Sequence, residues 1–190
     1  QYPLVAMKQK LNFRQVLRQW ETDVQRELPH FVLDASNKTV AASLLAYFAG
    51  TRNMCQKLGL NPQKGLFLLG PVGCGKSTLM RWFAGRATVR KFSVLSCWQI
   101  VRKYEQEGAS VLERYGWQSF RKKPSGYGMS LRYDQPLTYC FDDLGAEPSY
   151  LRYGLNIQVM EEILFDRYEH FVRYGMKTHL TTNLNAQELG

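Results

Sequence analysis

Cysteine and histidine are sparse in this chain, acidic residues are in the minority, and no long apolar run occurs. Cys55, Cys74, Cys97 and Cys140 are scattered without a C-x-x-C pair, and His30, His170 and His179 stand at no zinc-ligand spacing. Neither a disulfide framework nor a thiolate or imidazole metal centre is therefore expected. Cys74 and Cys140 read as small packed side chains of a reducing compartment. The longest strongly apolar piece, residues 41–50, is too short to cross a bilayer, and no leader with a basic start and an apolar core precedes it. A cytoplasmic protein with no membrane partner is the expectation. Asp and Glu number 16 against 25 Lys and Arg, a formal charge of +9. Nucleotide alone needs less positive charge, so a nucleic acid or an acidic protein face suits the balance, as does a generally basic surface. The 190 residues suffice for one α/β domain with a real core and a short extra segment; two full domains would be cramped.

What the chain does contain is an apolar run, residues 65–69, that breaks into glycines and resumes as a helical pattern. Gly70-Pro71-Val72-Gly73-Cys74-Gly75-Lys76-Ser77-Thr78 satisfies G-x-x-x-x-G-K-[ST]. Small residues let successive backbone N–H groups curl around a polyphosphate, and Gly73 adds a position with no β-carbon. The helix starting near Lys76 aims its N-terminal N–H groups and positive dipole end at the same anion. On this reading Lys76 reaches the β- and γ-phosphates of ATP and the Ser77 hydroxyl ligates Mg²⁺. A glycine-rich turn can match by accident. The strand-like run before it, and Leu79, Met80 and Phe83 at helical spacing after it, are the context that phosphate binding requires.

Upstream, Val16, Leu17, Trp20 and Val24 keep one face of an amphipathic helix over residues 9–28, a face that is usually core and sometimes a docking surface. Pro29 stops or bends it, and residues 30–34 connect. Asn37 offers an N-cap to a stripe through Val40, Ala41, Leu44, Leu45 and Phe48 that runs to near Gly59. Asn61-Pro62 then turns into a core strand over 65–70. Downstream, 91–96 reads as a strand and 97–107 as a helix, with Trp98, Val101 and Tyr104 in phase. The βαβ alternation implies a parallel sheet with right-handed crossovers. Residues 108–136 mix Gly, Ser and Pro with Tyr115, Trp117, Phe120, Arg121, Lys122, Lys123, Tyr127, Arg132 and Tyr133, and read as a long loop. Rings among cations suit single-stranded nucleic acid, the rings stacking on bases and the cations tracking phosphates. A solvated, partly disordered insertion has the same composition.

Residues 137–145, Leu-Thr-Tyr-Cys-Phe-Asp-Asp-Leu-Gly, read as an apolar strand that ends in two carboxylates. In a parallel sheet such a strand delivers its acids beside the phosphate loop, where ligands of doubly wound folds bind. Asp142 would hold Mg²⁺ through its water shell, and Asp143 would orient or deprotonate the attacking water. Alone, Asp-Asp after an apolar run often marks a turn. Glu147 is a secondary candidate for activating water, or simply a solvated loop acid. Residues 155–173 read as a helix with Val159, Met160, Ile163, Leu164, Tyr168 and Phe171 on its stripe and Glu161, Glu162, Arg167 and Arg173 among the polar positions, closed by Gly175. Residues 177–183 read as a strand ending in Asn183, which can hydrogen-bond a γ-phosphate or the attacking water and is also a common turn former.

Gly70 to Thr78, Cys140 to Glu147, Leu180-Thr-Thr-Asn-Leu184, and Asp166-Arg-Tyr168 between the last two resemble the AAA+ ATPases. Within them, the likeness is to the DnaC/IstB-type helicase loaders and transposition helper ATPases, over roughly residues 37–190. It implies an α/β P-loop NTPase fold, a parallel sheet sandwiched by helices, with residues 1–34 as a helical extension and linker and 35–190 as the ATPase core. Lys76, Asp143 and Asn183 would be the catalytic groups, Asn183 as sensor; Gly70 through Thr78 would contact ATP, and Ser77 and Asp142 would serve Mg²⁺. Asp143 stands where many AAA+ members carry Glu, an arm one methylene shorter, which implies hydrolysis that is slow or partner-dependent. Also implied are ATP-dependent homo-oligomers, single-stranded DNA and a replicative helicase or other nucleoprotein partner, DNA-contacting helices within 97–136, and an arginine finger from a neighbouring subunit. The finger and the small helical lid have no expected counterpart in these residues, nor has the Cys-rich zinc motif of some loaders. Two alternatives share the loop: a ZapE-like AAA+ ATPase acting on protein partners, with which residues 65–83 are compatible, and a small-molecule kinase, which usually needs an acceptor pocket and an arginine-bearing lid.

Overall fold

The computed structural model describes residues 13–49, 52–87, 90–122, 133–148, 150–152, 155–185 and 187. The chain divides into two compact units, Gln1–Pro62 with Val72–Lys91, and Gln63–Pro71 with Phe92–Gly190.

The first unit is helical: α1 (Phe13–Glu27), α2 (Lys38–Phe48), α3 (Arg52–Lys57) and α4 (Lys76–Ala84). The apolar stripe of α1 is core, with Trp20 and Val24 buried. Trp20 stacks on Phe83 of α4 at 5.9 Å between centroids and meets Trp82 edge-on at 6.0 Å, while Phe48 of α2 stacks on Phe83 at 5.1 Å. Each such ring removes about 150–250 Å² from water, so Phe83 joins three helices. Glu27, at the end of α1, accepts from the Trp82 indole N–H at 3.0 Å and pairs with Arg86, whose hydrogen bond holds the Glu27 carboxyl below its ordinary value. The helix expected to run to near Gly59 is two helices instead, α2 and α3. Asn37 does occupy the N-cap position of α2 but makes no capping bond. Its side chain turns back, accepting from the Asp34 N–H at 3.0 Å and donating to the Val32 carbonyl at 2.9 Å. Asp34 organises this turn by accepting from the Ser36 and Asn37 N–H groups, the local competition that makes such residues turn formers.

The second unit holds β1 (Phe67–Leu69), β2 (Ser93–Ser96), α5 (Cys97–Glu107), α6 (Ser110–Tyr115), β3 (Phe120–Lys122), β4 (Tyr133–Pro136), β5 (Tyr139–Leu144), β6 (Tyr150–Arg152), β7 (Leu155–Ile157), α7 (Val159–Tyr174) and β8 (Thr178–Thr182). Four strands form a parallel sheet in the order β1-β8-β5-β2. The expected α/β architecture with helical connections is thus present, and the last strand in sequence is inserted between the first and the acidic one. Its core joins Ile100, Val101 and Tyr104 of α5, Val111 and Tyr115 of α6, Phe141 of β5, and Val159, Met160 and Ile163 of α7. Gly65 lets the chain enter β1: a Cβ there would lie 1.8 Å from the Thr178 carbonyl oxygen.

Two expectations need correction. Residues 108–136 are not one loop, because Val111 and Tyr115 bury a short helical stripe in α6 and β3 pairs antiparallel with β4. Tyr115 and Phe120, expected among displayed rings, are buried, Phe120 lying between His170 at 5.7 Å and Tyr174 at 5.6 Å. Lys123, Tyr127 and Arg132 lie outside the described residues. The helix expected over 155–173 starts at Val159, since Leu155–Ile157 pairs antiparallel with β6. Its stripe also differs: Tyr168 is 61% exposed and Arg167 only 1%. Arg167 occupies the core position four residues after Ile163. Its Nε donates to Thr178 Oγ1 at 2.7 Å, Nη1 to the Tyr115 carbonyl at 3.1 Å, and Nη2 to the Leu137 and Lys177 carbonyls at 2.8 and 2.9 Å. The guanidinium also lies 4.8 Å from the Tyr139 ring centroid. Burial pushes Arg167 down to about 10, so it remains charged at neutral pH. Gly175, at φ +69°, closes α7 as expected. No helix among the described residues is long and apolar enough to cross a membrane.

Candidate nucleotide site

Because β1, β8 and β5 run parallel, their carboxyl ends share one edge of the sheet. Gly70 and Pro71 leave β1 there, Asn183 follows β8, and Asp142 to Leu144 end β5. Within this unit the structure therefore brings the predicted acids, the predicted sensor and the start of the phosphate loop to a common edge, the place where parallel α/β sheets bind ligands.

The acids do not sit on a regular strand. Phe141 pairs with Leu180 and Leu144 with Thr182, so Asp142 and Asp143 together face Thr181. Two residues against one is a β-bulge, which re-aims side chains. Asp143 has φ +59°, the only positive value among the described non-glycine residues, a conformation costing about 1–2 kcal/mol for an L-residue. The Asp143 N–H, displaced from the ladder, donates to Thr181 Oγ1 at 2.9 Å, and that hydroxyl donates to Asp142 Oδ1 at 2.7 Å. Asn183 Nδ2 donates to Asp143 Oδ1 at 3.2 Å. Thr181 lies in β8 and Asn183 just beyond its end, so both acids are bonded by residues of the same stretch of chain. Successive residues of an unbroken strand would have faced opposite ways. Thr182 secures the far side, its hydroxyl donating to the Leu144 carbonyl at 2.6 Å and accepting from Leu184 N–H at 3.1 Å.

The turn beyond β5 uses Gly145 at φ +88°, whose N–H donates to Glu147 Oε2 at 2.7 Å. Glu147 is half-buried and bonded into this turn. Burial, and then the nearby negative charges led by Glu147 and Asp142, push the Cys97 thiol far above its usual value. Cys97 and Cys140 are both fully buried, as expected for Cys140.

In the first unit, Val72 to Thr78 form the rest of the loop and the start of α4. Gly73 and Gly75 lie at φ +83° and +90°, and Gly75 holds the N-cap position. A Cβ on Gly75 would come within 2.5 Å of the Phe31 ring, so the loop is packed against the connector after α1. Lys76, Ser77 and Thr78 are the first residues of α4. Lys76 is largely buried, with its Nζ 3.6 Å from Cys74 Sγ. Cys74 is exposed, a correction to its expected packing, since the two left-handed glycines flanking it lift it to the loop surface.

Ser77 and Asp142 offer hard oxygen ligands of the kind Mg²⁺ prefers. Among the described residues no three or more His, Cys, Asp or Glu gather at metal-binding range. Sequence reasoning overlooked Thr181 and Phe31. The signal for Thr181 was present, a hydroxyl at a core position two residues before the sensor; Phe31 gave none, its contact lying 44 positions along the chain.

No family model matches the chain. Over 56 residues it is 41% identical to Cell division control protein 48 homolog B of Arabidopsis thaliana, covering 30% of this chain and 9% of that protein. Over 70 residues it is 34% identical to the Proteasome-activating nucleotidase of Methanocella arvoryzae, covering 37% and 16%. Over 78 residues it is 32% identical to the sn-glycerol-3-phosphate import ATP-binding protein UgpC of a Ruegeria species, covering 38% and 22%. The chain therefore spans less than a quarter of the length of these curated relatives. A solved structure of PCH-2 from C. elegans aligns with TM-score 0.46 and 16% identity, over 82% of this chain and 39% of that one. The similarity in sequence is to AAA+ and other P-loop ATPases.

Proposed function

We propose that this chain is the core of a cytoplasmic AAA+ ATPase that binds MgATP, self-associates when loaded, and couples hydrolysis to assembly on DNA, as in helicase loading during replication or transposition. The observation that carries the ATPase reading is the acid pair and Asn183, tied together by hydrogen bonds at the sheet edge where Gly70 begins the phosphate loop. Similarity to proteins named as a nucleotidase and an ATP-binding protein supports it. Gly70 to Thr78 cradle the phosphates with backbone N–H groups, and the Lys76 ammonium neutralises the β- and γ-oxygens. Ser77 and Asp142 would serve Mg²⁺, which would supply charge neutralisation of the triphosphate. Asp143 takes up or orients the proton of the attacking water, and Asn183 donates to the same water or the γ-phosphate. Asp143 reaches one methylene less far than Glu, so turnover is slow until a partner closes the site.

The DNA part rests on the +9 charge and on the exposed rings of Trp117 and Trp98, the latter with the Arg102 guanidinium 4.8 Å from its ring centroid. A second reading, action on protein partners in the ZapE manner, draws on α7. There Phe165, Tyr168 and Val172, at 67%, 61% and 65% exposure, line one helical stripe, the kind of apolar patch that marks a protein contact. A small-molecule kinase is a third reading on the same loop.

Titration with ATP tests the common core: Lys76→Ala is expected to lose most triphosphate affinity, and Asp143→Asn to bind normally and cease turnover. Equal affinity in wild type and Lys76→Ala overturns the reading. Single-stranded DNA binding that falls steeply with salt supports the DNA role. Retention of protein partners alone at low salt with ATP favours the second reading, and rapid phosphate transfer to a metabolite the third.

A further inference from the structure

Consecutive residues of a regular strand face opposite sides of the sheet; here the strand carrying the two acids is broken by a bulge, and the group that holds the break is a residue with no assigned role. Thr181 is fully buried opposite the bulge. Its hydroxyl has one hydrogen, which is given to the Asp142 carboxylate at 2.7 Å, and its lone pair receives the Asp143 N–H at 2.9 Å. The backbone N–H only donates, so the hydroxyl accepts there and its own hydrogen goes to the carboxylate oxygen. One oxygen therefore performs two tasks: it fixes the rotation of Asp142, and it replaces the ladder bond that Asp143 lost on entering the left-handed region. A methyl in place of that oxygen would leave the Asp143 N–H without this acceptor and take from the Asp142 carboxylate the donor it receives from β8.

We infer that Thr181 is the positioning residue of the acidic pair, setting Asp142 for the metal–nucleotide complex and turning Asp143 toward Asn183. The inference rests on the MgATP reading above. Thr182 provides the internal comparison, since its hydroxyl braces the same bulge through the Leu144 carbonyl at 2.6 Å without touching either acid.

The test uses the whole chain and Mn²⁺ as a paramagnetic stand-in for Mg²⁺. Mn²⁺ affinity is measured by electron paramagnetic resonance with ADP bound, and ADP affinity is measured separately in EDTA. Thr181→Val is expected to weaken Mn²⁺ binding at least tenfold while metal-free ADP affinity changes less than twofold. Thr181→Ser, which restores the hydroxyl, is expected to return Mn²⁺ affinity to within about threefold of wild type, a rescue that packing alone would not give. Circular dichroism and thermal midpoints establish that each variant is folded, and the serine variant carries the test if the valine variant is not. Wild-type Mn²⁺ affinity in Thr181→Val overturns the inference, as does a folded serine variant no better than valine, or an equal loss in Thr182→Val. Each of these leaves ADP binding by the wild type intact, so the ATPase reading survives. A wild-type chain that binds no nucleotide at all overturns both.

Discussion

His179 sits in the middle of β8 with no exposed surface, its ring edge-on to Phe92 at 5.0 Å and its Nδ1 accepting from the Leu66 N–H at 3.0 Å. A nitrogen that accepts from a backbone N–H cannot also carry a proton, so the folded chain holds the neutral Nε2–H tautomer. Burial, with the nearby Lys177 and Arg167 charges, pushes His179 from 6.5 down to about 3. The unfolded chain takes up this proton first. The contribution of His179 to stability is therefore complete above pH 6.5 and is lost as pH falls from 6.5 toward about 3. Each unit of separation is worth about 1.36 kcal/mol, so between pH 7.5 and 4.5 the folded state should lose about 2.6 kcal/mol through this residue. His179→Asn places an amide oxygen where Nδ1 was, keeping the bond to Leu66 without a titrating group. The variant loses ring packing and starts less stable, but its stability should fall less on acidification by that amount. Urea unfolding followed by circular dichroism at pH 7.5, 6.5, 5.5 and 4.5 measures it; with slopes of about 1–3 kcal/mol per molar urea, the wild-type midpoint should fall by roughly 1–3 M more than the variant's. Parallel profiles would refute the reasoning.

Two further outcomes follow from neighbouring features. Arg167→Met removes the donor from three backbone carbonyls and one hydroxyl that stay buried; with about 1–3 kcal/mol for each orphaned group, offset by relief of the buried charge, a loss of about 4 kcal/mol is expected in urea unfolding, and a change under 1 kcal/mol would show that these acceptors find water. Cys74 is exposed while Cys55, Cys97 and Cys140 are buried, so iodoacetamide should alkylate Cys74 selectively, lower ATP affinity at least tenfold, and be blocked by prior nucleotide, all measured by mass spectrometry and titration; modification that leaves ATP affinity unchanged would place the thiol away from the bound phosphates.

The elements most legible from sequence were those whose cause is local. The G-x-x-x-x-G-K-[ST] run requires glycines where the chain turns left-handed, and Gly73 and Gly75 do so. The helix over 97–107 follows from Trp98, Val101 and Tyr104 in phase, of which Val101 and Tyr104 are buried and Trp98 is exposed, and the strand before it from its β-rich run. Residues 155–157 misled because a short β-hairpin carries too few residues to set its own period against a long helical stripe that follows directly. Residues 108–136 misled for the opposite reason: glycine punctuation read as loop, although Val111 and Tyr115 were spaced to bury one turn of helix.

The buried polar groups were hidden by a different cause. Hydropathy sorts side chains by their average surroundings, whereas Arg167 and Thr181 are stable inside because of partners far along the chain, Tyr115 at a separation of 52 residues and Asp142 at 39. Arg167 did leave a trace, since it falls in the phase of Ile163 where an aliphatic residue would be expected, and an arginine there must find acceptors or leave the core. Thr181 left one as well, a hydroxyl in a strand whose other inward positions are buried. At the sheet edge the same logic extends to Asp143: an L-residue held at φ +59° persists only where surrounding bonds over-determine it. The three that do so, from Thr181, Asn183 and the Thr182 brace on Leu144, come from the strand that sequence order places last, which the sheet places next to it, and from the residue that follows that strand. The acid pair of β5 is thus shaped by β8, and a reading confined to the acidic motif could name the acids but not what aims them.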